Sequence, residues 1–155
     1  HLPSPYLSFI YGMLLYSSKG YLAALHYLHS IENRVGSDPI FNLSVGLAYL
    51  HRSMQRLTPS RNFQILYGFH YLYQYYQIRS ENFTEIEEQE ADYNLARSFH
   101  FLGLNTPAVR YYYRVLNNYK DERLKRHAAF NLIQIFNQSE SAELAEEIME
   151  KYLSV

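Results

Sequence analysis

The chain has 155 residues with 14 Lys and Arg against 15 Asp and Glu, a formal net charge of −1, a balance that argues against a free-standing nucleic-acid binder with its large basic excess. It has no cysteine, so a disulfide scaffold, a thiolate metal site and a cysteine nucleophile are excluded. Charged residues are only 19% and Trp is absent, while Tyr numbers 17 and Phe 9; the core must be built from tyrosine and aliphatics, and part of the surface is expected to be covered.

Along the chain, the apolar run at residues 6–16 is interrupted by Ser8 and Gly12 and falls short of the ~20 residues of a membrane span. No secretory pattern precedes it, and His1 in place of Met reads as a segment of a longer chain. Apolar residues recur at spacings of three and four over residues 9–31, 40–57, 63–78, 86–102, 109–119 and 128–153, which predicts helices throughout. Asp38-Pro39 and Thr106-Pro107 read as N-caps followed by proline at the first helical position. Thr84 with Glu87 forms a capping box, and Gly103 sits where a helix should stop. Strand-like alternation occurs only at residues 71–75, between helical flanks. Sequons at Asn42, Asn82 and Asn137 are short enough to arise by chance.

A repeat organises these helices. The tetratricopeptide pattern places a small residue and an aromatic in a first helix and Ala-x3-Phe in a second. Tyr11-Gly12-x2-Leu15 is followed by Ala24-x3-Leu28, and Val45-Gly46-x2-Tyr49 by Gly68-x3-Leu72. Leu95-Ala96-x2-Phe99 is followed by Ala108-x3-Tyr112, and Leu132-Ile133-x2-Phe136 by Ala145-x3-Met149. The step between small positions is 12 in three repeats and 22 in the second. Two helices approach closely only where one presents Gly or Ala, and a pair cannot bury its apolar face alone, so pairs stack. The expected fold is all-α, a tetratricopeptide-type superhelical stack of about four helix pairs. One array covers residues 1–155, with repeats at about 5–37, 38–80, 88–120 and 124–155. The second repeat is extended, and residues 81–92, acidic and without a basic residue, form an exposed linker. Tyr11, Tyr49 and Tyr112 are expected at packing positions.

Residues of the first helices that fall between packing positions define a groove. By that register it holds Leu43, Leu47, Leu50 and His51 from the second repeat. The third contributes Tyr93, Arg97, His100 and Phe101, and the fourth His127, Phe130, Gln134 and Gln138. Such an apolar and aromatic mix favours an extended or helical partner segment. Arg52, Arg56, Arg61 and Arg79 lie in a stretch free of acids and rich in aromatics. They offer a charged contact, with direct nucleic-acid binding as the rival reading. His26 and His29 stand one turn apart without converging ligands, so no metal site is expected. No phosphate loop, catalytic motif, cofactor or small-molecule substrate site is expected either.

Several segments carry a family likeness: Gly46-Leu47-Ala48-Tyr49-Leu50-His51, Gly68-Phe69-His70-Tyr71-Leu72, the run from Tyr93 to Leu104 and Ala129-Phe130-Asn131-Leu132. Together with the long second repeat they resemble the carboxy-terminal repeat array of the tetratricopeptide subunit of transcription factor IIIC. Ala96 departs from the Gly favoured there, and the connection at residues 119–123 is shorter than the resemblance implies. The resemblance implies a non-enzymatic, nuclear scaffold in RNA polymerase III transcription. Its implied partners are other subunits of factor IIIC and components of transcription factor IIIB, with DNA met mainly through the assembled complex and no membrane. A repeat adaptor of another complex is the alternative.

Overall fold

A computed structural model describes residues 5–81, 84–118 and 121–154. Among them there is no strand, and the helices are α1 (Pro5–Ser17), α2 (Tyr21–Ser30), a single turn α3 (Glu32–Val35), α4 (Pro39–Ser53), α5 (Arg61–Glu81), α6 (Glu85–Phe101), α7 (Asn105–Asn118), α8 (Glu122–Gln138) and α9 (Ala142–Ile148). A π-helical turn, Met149–Leu153, extends α9. The chain divides into two compact units, residues 1–78 and 79–155. The all-α class and the packing in adjacent helix pairs stand as expected.

In the first unit α1 pairs with α2, and α2 packs on α4. Leu25, Leu28, Ile31, Phe41, Val45, Ala48 and Tyr71 form its core. The tightest approach is between α4 and α5. A Cβ built at Gly46 would lie 2.9 Å from the Gly68 carbonyl oxygen, and one at Gly68 would lie 3.1 Å from that of Gly46. In the second unit α6 pairs with α7 and α8 with α9, while α7 also packs on α8; Leu95, Ala96, Ala108, Tyr112, Val115 and Leu132 are fully buried there. All the small positions named by the repeat, Gly12, Ala24, Gly46, Gly68, Ala96, Ala108, Ile133 and Ala145, are buried.

The ends of α1, α6 and α8 share one device. Backbone N–H groups of Gly20, Leu104 and Ser141 donate to the carbonyls of Leu15, Phe99 and Phe136 at 2.8, 2.9 and 2.8 Å. The residue before each, Lys19, Gly103 and Glu140, turns left-handed with φ of 65°, 77° and 58°. This is the Schellman closure, which satisfies the last carbonyls of a helix. The carbonyl acceptors belong to the repeat's Leu/Phe position, so one residue both fills the pair interface and closes the turn.

In the second repeat the ten additional residues are spread over three places. α4 runs two residues further past its small position than α1, α6 and α8 do. The connection at 54–60 is four residues longer than the others, and α5 starts four residues earlier relative to Gly68.

Local signals agree with the structure at several ends. The Asp38 carboxylate accepts from the N–H groups of Ile40 and Phe41 at 2.8 and 3.3 Å. Thr84 and Glu87 form the reciprocal capping box. Residues 71–75 are helical.

Three readings are corrected. α7 begins at Asn105, not at Pro107; Pro107 stands in the first turn, where N–H groups lack intrahelical partners and proline is tolerated. Residues 85–92 of the acidic stretch are helix rather than linker, because acids are favourable beside the positive end of a helix; residues 82–83 of that stretch lie outside the described residues. Tyr11 is 47% exposed, its ring edge-on to Tyr27 at 4.6 Å, because Gly12 takes the packing position and turns Tyr11 outward. The Asn42 sequon, read as a chance tripeptide, is indeed buried: its side-chain nitrogen donates to the carbonyls of Gly36 and Asp38, both at 2.9 Å. Asn82, Tyr119 and Lys120 lie outside the described residues, and with them one sequon and the short connection.

Candidate interaction surface

Within the second unit, Tyr93 and Arg97 stand one turn apart on α6, and His127 lies one turn before the adjacent Phe130 and Asn131 on α8. These five line a cleft of about 290 Å³. Tyr93 and Phe130 are 37 residues apart, as are Ala96 and Ile133, so the repeat register sets them side by side. The Arg97 guanidinium donates to the Asn131 side-chain oxygen at 3.2 Å. The Asn131 nitrogen donates to the Tyr93 hydroxyl at 3.3 Å and to the His127 carbonyl at 2.8 Å. The Tyr93 ring lies 6.2 Å from that of His127. Phe130 projects with 56% of its surface exposed.

His100 supports this wall from behind: its Nδ1 lies 3.1 Å from the hydroxyl of buried Tyr112. Burial, with the Arg97 charge adding, holds the His100 pKa below its ordinary value, so the ring is neutral at neutral pH. Burial raises the Tyr112 pKa against the opposing charge of nearby Arg97. Phe101 and Gln134 are exposed on the same two helices but do not line the cleft.

In the first unit the named residues divide differently. Leu43 and Leu47 are half-buried on α4, and Leu50 is buried, its side chain 2.7 Å from where a Cβ at Gly68 would be. His51 stacks on Tyr21 with centroids 5.4 Å apart and meets Tyr16 edge-on at 5.6 Å. Burial lowers its pKa. These contacts commit His51 to packing between helices. Arg61 donates from Nε to the Ser53 carbonyl at 2.7 Å, closing the end of α4. Arg79 lies 3.7 Å from Glu87. Arg52 is half-buried and Arg56 exposed.

Two features escaped the sequence reading. Asn131, which joins both walls of the cleft, was passed over because Asn on a helix carries no apolar signal. The second is a polar ring in the first unit. His29 Nδ1 lies 3.0 Å from Glu32 and Nε2 lies 2.7 Å from the Tyr49 hydroxyl, while the Tyr71 hydroxyl donates to Glu32 at 2.5 Å. Burial raises the Glu32 pKa, but the hydrogen bonds from Tyr71 and His29 outweigh it and leave the group below its ordinary value. Glu32 and Tyr71 are 39 residues apart in sequence, beyond any local pattern.

Among the described residues no group of three or more His, Asp or Glu could hold a metal, and no helix is long and apolar enough to cross a membrane.

No family profile matches the chain. It is 55% identical over 152 residues to the transcription factor tau 131 kDa subunit of Saccharomyces cerevisiae, covering 98% of this chain and 15% of that protein. It is 39% identical over 166 residues to the transcription factor tau subunit sfc4 of Schizosaccharomyces pombe, covering 96% of this chain and 16% of that protein. Human general transcription factor 3C polypeptide 3 is 28% identical over 127 residues, covering 76% of the chain and 14% of that protein. The chain is thus homologous to a segment of these transcription-factor subunits and spans about a sixth of their length.

Proposed function

We propose that the chain is a tetratricopeptide segment of a transcription factor IIIC subunit, acting in the nucleus as a non-enzymatic scaffold for RNA polymerase III transcription. In this reading it holds other subunits of the factor through the first-helix face and helps bring in transcription factor IIIB. DNA is met through the assembled complex. The observation that supports it most is the 55% identity to the tau 131 kDa subunit across nearly the whole chain. The repeat packing agrees, since helix pairs of this kind present extended surfaces to partner segments.

Direct nucleic-acid binding through Arg52, Arg56, Arg61 and Arg79 is less well supported. Arg61 is taken up as a helix cap and Arg79 lies beside Glu87.

Crosslinking mass spectrometry on the purified assembly tests the reading. Crosslinks from α6 and α8 to other subunits of the factor are expected. Recovery of chaperones without those subunits would refute it, and tight, salt-sensitive gel shifts by the protein alone would favour the nucleic-acid reading.

A further inference from the structure

Among the described arginines of this unit Arg97, Arg110, Arg123 and Arg126 stand outside the ion pairs, and Arg97 is the one of them that lines the cleft. Arg114 lies 3.3 Å from Asp92 and 4.0 Å from Glu88, Arg79 lies 3.7 Å from Glu87, and Lys125 lies 3.5 Å from Glu122. Arg97 has no carboxylate within ion-pair distance among the described residues. Its hydrogen-bond partner is neutral: the Asn131 side-chain oxygen, 3.2 Å away. That contact tethers the guanidinium without cancelling its charge. Asn131 is in turn held by Tyr93 and the His127 carbonyl. The group therefore enters the cleft already ordered, and little side-chain entropy remains to be lost on binding. The exposed Phe130 ring borders the same cleft.

We propose that this cleft seats one Asp or Glu side chain of an extended segment from a partner protein, with the carboxylate on Arg97 and an adjacent apolar side chain against Phe130. The inference rests on reading this face as protein-binding, and it adds the chemistry of what binds. A planar guanidinium presents paired donors that suit a carboxylate. The volume, about 290 Å³, fits a side chain or two rather than a folded element. A nucleic-acid strand is disfavoured by the surroundings. Strands are held by tracks of basic residues, and Arg97 is the one basic residue among the five that line this cleft, in a unit whose α6 opens with Glu85, Glu87 and Glu88.

The test selects phage displaying random twelve-residue peptides on the full-length protein, then measures the enriched peptide, fluorescein-labelled, by anisotropy. Enriched peptides are expected to carry Asp or Glu within three residues of Leu, Phe or Trp. Arg97→Ala should weaken the labelled peptide about tenfold or more, the loss of one charge-assisted contact. Arg97→Glu should abolish that binding and gain the same peptide with Lys in place of the acid, at unchanged helical circular dichroism. Phe130→Ala should weaken both charge versions. No enrichment, enrichment without acids, or equal binding by Arg97→Glu would overturn the proposal. So would displacement of the peptide by oligothymidine in an Arg97-dependent way. Recovery of the factor's subunits with the wild-type protein is scored apart, so failure of the scaffold reading and failure of the cleft reading are seen separately.

Discussion

Gly46→Ala places a methyl group into the closest helix–helix approach in the first unit. The new Cβ would lie 2.8 Å from Leu72 Cγ and 2.9 Å from the Gly68 carbonyl oxygen. Neither contact is relieved easily: both are under 3.0 Å, and the oxygen belongs to the α5 backbone. Overpacking of this kind costs about 1–3 kcal/mol. Replacing glycine inside a helix returns about 1 kcal/mol through propensity. With a backbone contact in play the upper part of the overpacking range applies, and a net loss of about 1–2 kcal/mol is expected. Gly12→Ala is the control at the equivalent position of the first repeat. There the Cβ would lie 3.1 Å from Leu28 Cδ2, a flexible side-chain end, and the nearest backbone atom is 3.7 Å away. A shift of a few tenths of an ångström suffices, so strain and propensity should nearly cancel. Urea unfolding followed by far-ultraviolet circular dichroism measures both. A Gly46→Ala chain as stable as the wild type, or a Gly12→Ala chain that loses more, would refute the argument from close approach.

Other expectations follow from caps and titrating groups. Asp38→Ala should cost about 1 kcal/mol in urea unfolding, since it orphans two N–H groups at the start of α4. Gly103→Ala meets no atom within 4 Å, so its expected loss of about 1–2 kcal/mol comes from left-handed backbone alone. At Lys19 and Glu140, which take the same conformation with side chains in place, substitution by Gly should raise the urea midpoint. His51 and His100 have folded pKa values lowered by burial. Their contribution to stability is full above the unfolded value of about 6.5 and is lost as pH falls through the folded values, because the unfolded chain then binds more protons. Unfolding midpoints should therefore fall from pH 7 toward pH 5.5, and His51→Gln with His100→Gln should flatten that slope. Glu32, also lowered on folding, stabilises above the ordinary carboxylate value, and that contribution is lost only at more acidic pH; Glu32→Gln should remove it.

Much of the fold was legible because its signals are short in sequence. A small residue followed three positions later by Leu, Phe or Tyr marks both the pair interface and the turn that ends the helix, and burial at Gly12, Ala96 and Ile133 follows that pattern. The cap at Asp38 and the box at Thr84 are equally local. The ten-residue excess of the second repeat was countable, but its division among α4, the connection and α5 was not. Where a helix ends inside a longer segment depends on partners such as Arg61, whose Nε closes α4 eight residues back.

The contents of the cleft show where local reading stops. Register alone places Tyr93, Arg97, His127 and Phe130 on adjoining first helices, because consecutive repeats bring equivalent positions into neighbouring rows. Register cannot say which side chains are already committed to the protein itself. His51 falls on the same predicted face as Arg97, yet it is stacked on Tyr21, whereas the Arg97 guanidinium is held at a cleft by a neutral group. Both outcomes depend on residues at least thirty positions away, Tyr21 for one and Asn131 for the other. Arg52, Arg56, Arg61 and Arg79 make the same point from the opposite side, since a run of like charges with no acid in sequence still loses Arg61 to a carbonyl and brings Arg79 beside Glu87. A binding surface on a repeat protein is therefore what remains after internal packing and pairing are satisfied, and the cleft proposed as a docking site, with Arg97 and Phe130, is one such remainder.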